Sequence, residues 1–421
     1  MKRWLGISAI SFLIIIIVAY GVCWKNKNEE TLQHTLRISL WDYDLTEYDR
    51  ELVTKFEEQN PDIDIEVISY RSEVYPYYVR NLLDSGSQVD IVYANQMAMF
   101  TELEENGFCE PLDSYVKQDN TPLSPYSTFF RSSEDKLMAL PYRIDKFLLF
   151  YNKDLFDQAG LKYPDSSMTW DEWRETAEKL QYTLGENQYG AFSIYIPTHW
   201  SEIFTSQSFS ISNMDLSELR EGMHLLLQMQ KDGTMIPIQE MNTHGGVQRL
   251  FETGNYGMYI CGTWLMHYLK IDAQSGDCSM RWGVTERPHW NGKKNENAAW
   301  VTSLCINKNS KEKESAWKFV KFVCGKQGAE IMANNLMIPA YQDEDITNLL
   351  EQQMQKYDIT VSLNTNSFDK PQKTTCLQEN KARSAVLSEI GRCVLGLQLE
   401  DTCIANILKI QTEFLEEYCV E

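Results

Sequence analysis

Leu36, Ile38 and Leu40 alternate with Arg37 and Ser39, a period of two that predicts a strand. The period then lengthens: Leu52, Val53 and Phe56 fall on one face of a helix that Thr46 is placed to cap and that ends near Asn60-Pro61. Ile63, Ile65 and Val67 alternate again, and this β-α-β order builds a mostly parallel sheet. The pattern goes on to predict a helix over 74–83, a turn at Asp84-Ser85-Gly86, a strand at 90–93 and another at 148–151. Thr169-Trp170-Asp171-Glu172 has the form of a capping box, with a threonine hydroxyl and a glutamate three residues later serving free amides at a helix start. The helix it opens runs to about Leu180, with Trp170 and Trp173 read as packing residues. Ala382, Ala385, Val386, Ile390 and Val394 share one helical face, and Ile404, Ile407, Leu408, Phe414 and Tyr418 share another. Residues 343–375 are irregular and polar, read as loops and short helices, and 287–298 read as a loop.

One apolar run obeys neither period. Residues 4–22 follow Lys2 and Arg3 and precede a polar stretch, so 1–23 read as an export signal or membrane anchor and 24–35 as a polar linker. Positive charge stays inside, which leaves the rest of the chain outside. Cys23 stands where a bacterial lipoprotein is cleaved and acylated, although Tyr20-Gly21-Val22 departs from the small residue that usually precedes such a cysteine. The alternative is that the run stays as an anchor, since its length spans a bilayer. Both place the protein on the outer face of the cytoplasmic membrane.

The 421 residues, 43% apolar and 24% charged, suffice for two globular domains with cores of their own. A net charge of −21 argues against nucleic acid or anionic lipid as the main partner. The histidines show no HExxH, the cysteines no CxxC, and neither GxGxxG, a P-loop nor GxSxG occurs, so no metal or cofactor is expected. Cys261, Cys305 and Cys324 lie in apolar runs and read as buried free thiols.

Five stretches, taken in order, resemble the family 1 extracellular solute-binding proteins, the maltose-binding-protein-like components of carbohydrate ABC importers. They are LRISLWDYDL…LVTKFEEQNPDIDIEV, DIVYANQMAMFTELEENGFCEPLDSYV, LMALPYRIDKFLLFYNKDLFDQAGL followed by TWDEW, LFETGNYGMYICGTW, and AWVTSLCINKNSKEKESAWKFVKFVCGKQGAEIM up to Ile338-Pro339-Ala340. The resemblance implies an α/β, two-lobed, type II periplasmic-binding-protein-like clamp with a hinge and discontinuous lobes, 35–142 plus 297–345 and 143–296 plus 346–421. It implies a monomer that catalyses nothing, captures a mono- or oligosaccharide between its lobes and delivers it to membrane permeases.

Ligands of open parallel sheets sit beyond the carboxyl ends of strands, which selects particular loops. Trp41, Tyr43 and Asp44 follow the first strand, with a solvated turn around a buried Trp41 as the alternative. Asn95 follows the strand at 90–93, where it either meets a ligand or caps a helix. Tyr142, Arg143 and Asp145 lie where the resemblance puts a crossover between lobes; there Arg143 and Asp145 either meet the ligand or form a structural ion pair. Gly262-Thr263-Trp264 matches the family's G-x-W, whose ring stacks on sugar. Trp300 precedes a predicted strand where the chain returns to lobe one, and Trp200 follows His199 in a loop; Trp282 reads as core. Tyr77-Tyr78 resembles the adjacent tyrosines of iron-binding relatives but follows Pro76 in a helical segment, and reads as structural. Two other functions fit such a clamp or cleft: a secreted glycoside hydrolase with Asp44 facing Asp145, and a ligand sensor docked to a membrane kinase.

Overall fold

The computed structural model describes residues 34–418 apart from 87, 186–187, 194–196, 208, 242–246, 296–297, 362, 364–369 and 372–375. The export segment, Cys23 and the linker up to residue 33 lie outside the described residues. Among those described, no helix is long and apolar enough to cross a membrane.

Two sheets organise the chain. The first holds β1 (His34–Trp41), β2 (Ile63–Tyr70), β3 (Ile91–Ala94) and β4 (Leu140–Asp145), which are joined late in the sequence by β9, β10 and β11. The second holds β5 (Phe147–Asn152), β6 (Tyr189–Ser193), β7 (Tyr256–Gly262) and β8 (Trp282–Glu286), in the order β6-β7-β5-β8. The chain then returns to the first sheet as β9 (Ala298–Ile306), β10 (Ile338–Pro339) and β11 (Lys370–Pro371), giving the order β10-β4-β9-β3-β1-β2, with β11 beside β9. β1 runs parallel to β2, from His34 opposite Ile63 to Trp41 opposite Tyr70, and parallel to β3 on its other side. β9 lies antiparallel between β3 and β4.

β4 and β5 are buried along their whole length, as central strands covered on both faces must be. Only Lys146 separates them, so the chain changes sheet at a single residue and carries Tyr142, Arg143 and Asp145 in the first sheet. These two sheets with their helices are the two lobes of a clamp.

The helices follow the apolar spacing. Helix Glu47–Gln59 buries Tyr48, Leu52, Val53 and Phe56, but Thr46 makes no side-chain cap; its hydroxyl donates to the Asp42 carbonyl at 3.3 Å. Helix Trp170–Thr183 carries the full capping box, with Trp170 and Trp173 buried. Its close approach to the second sheet requires Gly190, where a Cβ would lie 2.0 Å from the Ala177 carbonyl oxygen. Within the stretch read as irregular, Glu344–Gln355 forms a helix of three turns, because Asp343 caps it and Ile346, Leu350 and Met354 recur every fourth residue. Helix Leu377–Val394 packs on Pro197–Phe204 and Leu216–Lys231 of the second lobe and on Met97–Glu105 of the first. Cys261, Cys305 and Cys324 are buried free thiols.

Candidate functional site

β1, β3 and β4 end on one side of the first sheet, and β9, running the other way, begins there. β2 and β3 flank β1, so strand order reverses at β1, the position where α/β sheets hold ligands. On the second sheet β7 ends where β5 begins, with Gly262 opposite Phe147. The Thr263 N–H donates to the Lys146 carbonyl at 3.0 Å and its hydroxyl donates to the Asp145 carboxylate at 2.8 Å, which ties the two strand ends together across the change of sheet.

A cluster of rings occupies this junction. Trp264 meets Phe147 edge-on with centroids 5.8 Å apart, and Trp300 meets it edge-on at 6.1 Å. Trp264 belongs to the second lobe and Trp300 to the first. Both indoles are half-buried, so each has part of its surface exposed. The Trp300 indole N–H donates to the Asn95 carbonyl at 2.7 Å, which fixes that ring. Trp264 lies across the backbone of Gly262, where a Cβ would stand 1.9 Å from a ring carbon. The glycine of G-x-W is therefore a steric requirement of the tryptophan.

Polar groups surround the rings. The Arg143 and Asp145 side chains are 7% and 1% exposed and stand 2.8 Å apart, and a guanidinium nitrogen of Arg143 donates to the Tyr48 hydroxyl at 2.6 Å. The Arg143 guanidinium also lies 5.5 Å from the Trp41 ring centre, within cation–π range. Asn95 Oδ1 is buried and accepts no hydrogen bond among the described residues. Asp42, in the left-handed region at φ 49°, is buried, and burial raises its carboxyl above the ordinary range.

The sequence candidates divide. Trp264, Trp300, Asn95, Trp41, Arg143 and Asp145 come together at the junction, the last two as the ion pair given as their structural alternative. Tyr43 is half-buried, its N–H bonded to Ser69 Oγ, while Asp44 is exposed and held by two guanidinium nitrogens of Arg71 at 3.0 Å each. Asp44 and Asp145 are thus both committed to arginines and do not serve as a hydrolase pair. Tyr142 is buried edge-on against Tyr93, and Trp200 is buried in helix Pro197–Phe204, so these two sit in the interior rather than at the cleft surface. Tyr77 and Tyr78, read as structural, are exposed.

Phe147, Thr263 and Tyr268 were not singled out as site residues. Tyr268 stands one helical turn after Trp264, near enough to Asp42 to feel its charge, and burial raises its phenol well above the ordinary value. Its four-residue spacing from Trp264 was the available signal. Phe147 had none, because its partners lie more than a hundred residues away in sequence.

Residues 44–330 match the family described as bacterial extracellular solute-binding protein. A binding protein of Brucella abortus (strain 2308) is 26% identical over 309 residues, covering 70% of this chain and 73% of the relative. A sugar transporter of Rhizobium etli, solved in an open conformation, aligns with a TM-score of 0.66 and 26% identity over 90% of this chain and 99% of its own. An ABC substrate-binding protein of Listeria monocytogenes, in complex with cycloalternan, shares the fold at a TM-score of 0.74 and 18% identity, over 92% and 100% of the two chains. With more than half of its length matched, and with the fold and strand-end junction described above, this chain belongs to the bacterial extracellular solute-binding protein family.

Proposed function

We propose that this protein captures a neutral mono- or oligosaccharide between its lobes and presents it to the permeases of an ABC importer. As a member of its family it is an extracytoplasmic binding component that works with such permeases and is not an enzyme. The observation that carries the carbohydrate reading is the cluster of Trp264, Phe147 and Trp300. Its half-buried indoles come from both lobes and stand beside the unpartnered acceptor of Asn95. Flat rings receive the C–H faces of a sugar, and a few directional polar groups read its hydroxyls. Charge supports a neutral ligand, since Arg143 pairs with Asp145 and Arg71 with Asp44. Cycloalternan, held by the Listeria relative, is a ligand of this class.

Contacts drawn from two lobes are complete only when the lobes close, so a sugar shifts the population toward the closed form by its differential affinity. In this reading the first lobe comprises 34–145, 298–339 and β11, which moves 143–145 out of the second lobe, the second comprises 147–286, and the chain crosses at Lys146 and again before β9. The chain acts as a monomer held at the membrane by lipidated Cys23 or by the uncleaved apolar run. The intact mass of the membrane-extracted protein distinguishes these two, and cleavage without a lipid removes both.

A thermal-shift screen across mono- and oligosaccharides tests the function, because a ligand of the folded state raises the melting temperature by mass action. A few stacking and hydrogen-bonding contacts at about 1 kcal/mol each support roughly micromolar affinity. Trp264→Ala is expected to lower that affinity at least about tenfold while leaving the melting temperature of the free protein unchanged. A shift with peptides or metals and with no sugar would overturn the proposal.

A further inference from the structure

We propose that the binding surface continues from the ring cluster onto a tyrosine shelf, Tyr70, Tyr78 and Tyr77, which receives the outer sugar units of an oligosaccharide. This rests on the carbohydrate reading above and narrows it to chains longer than a disaccharide.

Tyr70 is the last residue of β2, opposite Trp41 in register, so it lies at the ligand end of the first sheet. β2 is an edge strand, with no further strand beside it among the described residues. The Tyr78 ring lies parallel on Tyr70, with centroids 4.6 Å apart and 6° between planes, and Tyr77 meets Tyr78 edge-on at 5.6 Å. Helix Tyr75–Asp84 buries Tyr75, Val79 and Leu83, one every fourth residue. Tyr77 and Tyr78 fall off that face and are 68% and 43% exposed, so burial in the core does not account for them. Val74, also exposed, shares their side of the helix.

The shelf joins the junction without a break. Trp41, half-buried, stands opposite Tyr70 in register on the neighbouring strand and faces Arg143 on its other side, while Tyr75 packs beneath Trp41 in the interior with ring centres 5.3 Å apart. The Arg71–Asp44 pair stands beside this path and offers planar donors and acceptors to hydroxyls. Tyrosine gives a broad apolar face with a polar tip and few rotamers to freeze, which suits the repeated C–H faces of a linked sugar chain.

The test is calorimetric affinity of the full extracytoplasmic chain for maltooligosaccharides and galactooligosaccharides, from disaccharide to pentasaccharide. Tyr77→Ala, at the most exposed of the three rings, is the first variant, and the Tyr77→Ala/Tyr78→Ala pair is the second. The expected result is a loss that grows with ligand length, reaching roughly tenfold for the pentasaccharide, with disaccharide affinity unchanged. Equal loss at every length, or no loss at any, overturns the shelf while the cleft stands. Binding by neither series while another sugar binds overturns the shelf alone, and binding of no sugar in the thermal-shift screen overturns the carbohydrate reading and the shelf with it. Loss of transport in cells with all affinities intact assigns the tyrosines to a protein contact instead.

Discussion

Gly262 and Trp264 act as one unit, since the indole occupies the space a side chain at 262 would need. Adding a methyl group there does not strain the backbone, because Gly262 is an ordinary strand residue without positive φ. It evicts the ring. Gly262→Ala is therefore expected to cost sugar affinity at least about tenfold, close to the cost of deleting the tryptophan itself. Calorimetry on the single variants and on the Gly262→Ala/Trp264→Ala pair checks this: the double variant should bind no worse than Trp264→Ala alone. Additive losses would mean that Gly262 acts elsewhere. The G-x-W motif was legible in the sequence as a motif, but this steric coupling was not, because no propensity or period records where a side chain two residues away will lie.

Strand β4 shows what element-level pattern discloses and what it hides. Its end was identified as a crossover with Arg143 and Asp145 as either site or ion pair, yet its depth came only from the fold, where β9 and β10 cover both edges. A pair this buried contributes little beyond the cost of desolvating it, but breaking it leaves one charge stranded. Arg143→Ala is expected to destabilise by about 3–5 kcal/mol, while Arg143→Met with Asp145→Leu costs clearly less. Urea denaturation of the three proteins checks the order; a single variant within about 1 kcal/mol of the original would show an exposed, screened pair. Other elements were readable outright. The capping box at Thr169 formed as its residues require, whereas Thr46, of equally good type, gave its hydroxyl to Asp42 instead. The tyrosines after Pro76 were read as structural, whereas the helix turns Tyr75, Val79 and Leu83 inward and leaves Tyr77 and Tyr78 exposed.

At the scale of the whole molecule, His267 joins the lobes. It sits on helix Leu265–Ser275 of the second lobe, bonds through Nδ1 to the Asn335 carbonyl of the first at 3.0 Å, and packs edge-on against Tyr48 with ring centres 4.9 Å apart. Burial lowers its pKa from 6.5 to about 3, with Lys270, Arg143 and Arg50 adding to the same effect against the bond to Asn335. The ring is therefore neutral in the folded protein and takes a proton more readily once exposed. Its contribution is complete above pH 6.5 and is lost as pH falls toward about 3, at about 1.4 kcal/mol per pH unit in that window. Asp49, raised by burial to about 6, works in the opposite sense: its folded form binds the extra proton, so its contribution grows as pH falls from 6 toward 3.8. The two offset each other in the unaltered protein, and the −21 net charge adds a background common to any neutral variant. His267→Gln isolates the histidine. Below pH 6.5 the variant should gain on the unaltered protein by about 1.4 kcal/mol for each unit of acidification, measured as the difference between their denaturation free energies. Two stability curves that run parallel down to pH 4 would show that protonation of His267 does not weaken the folded protein.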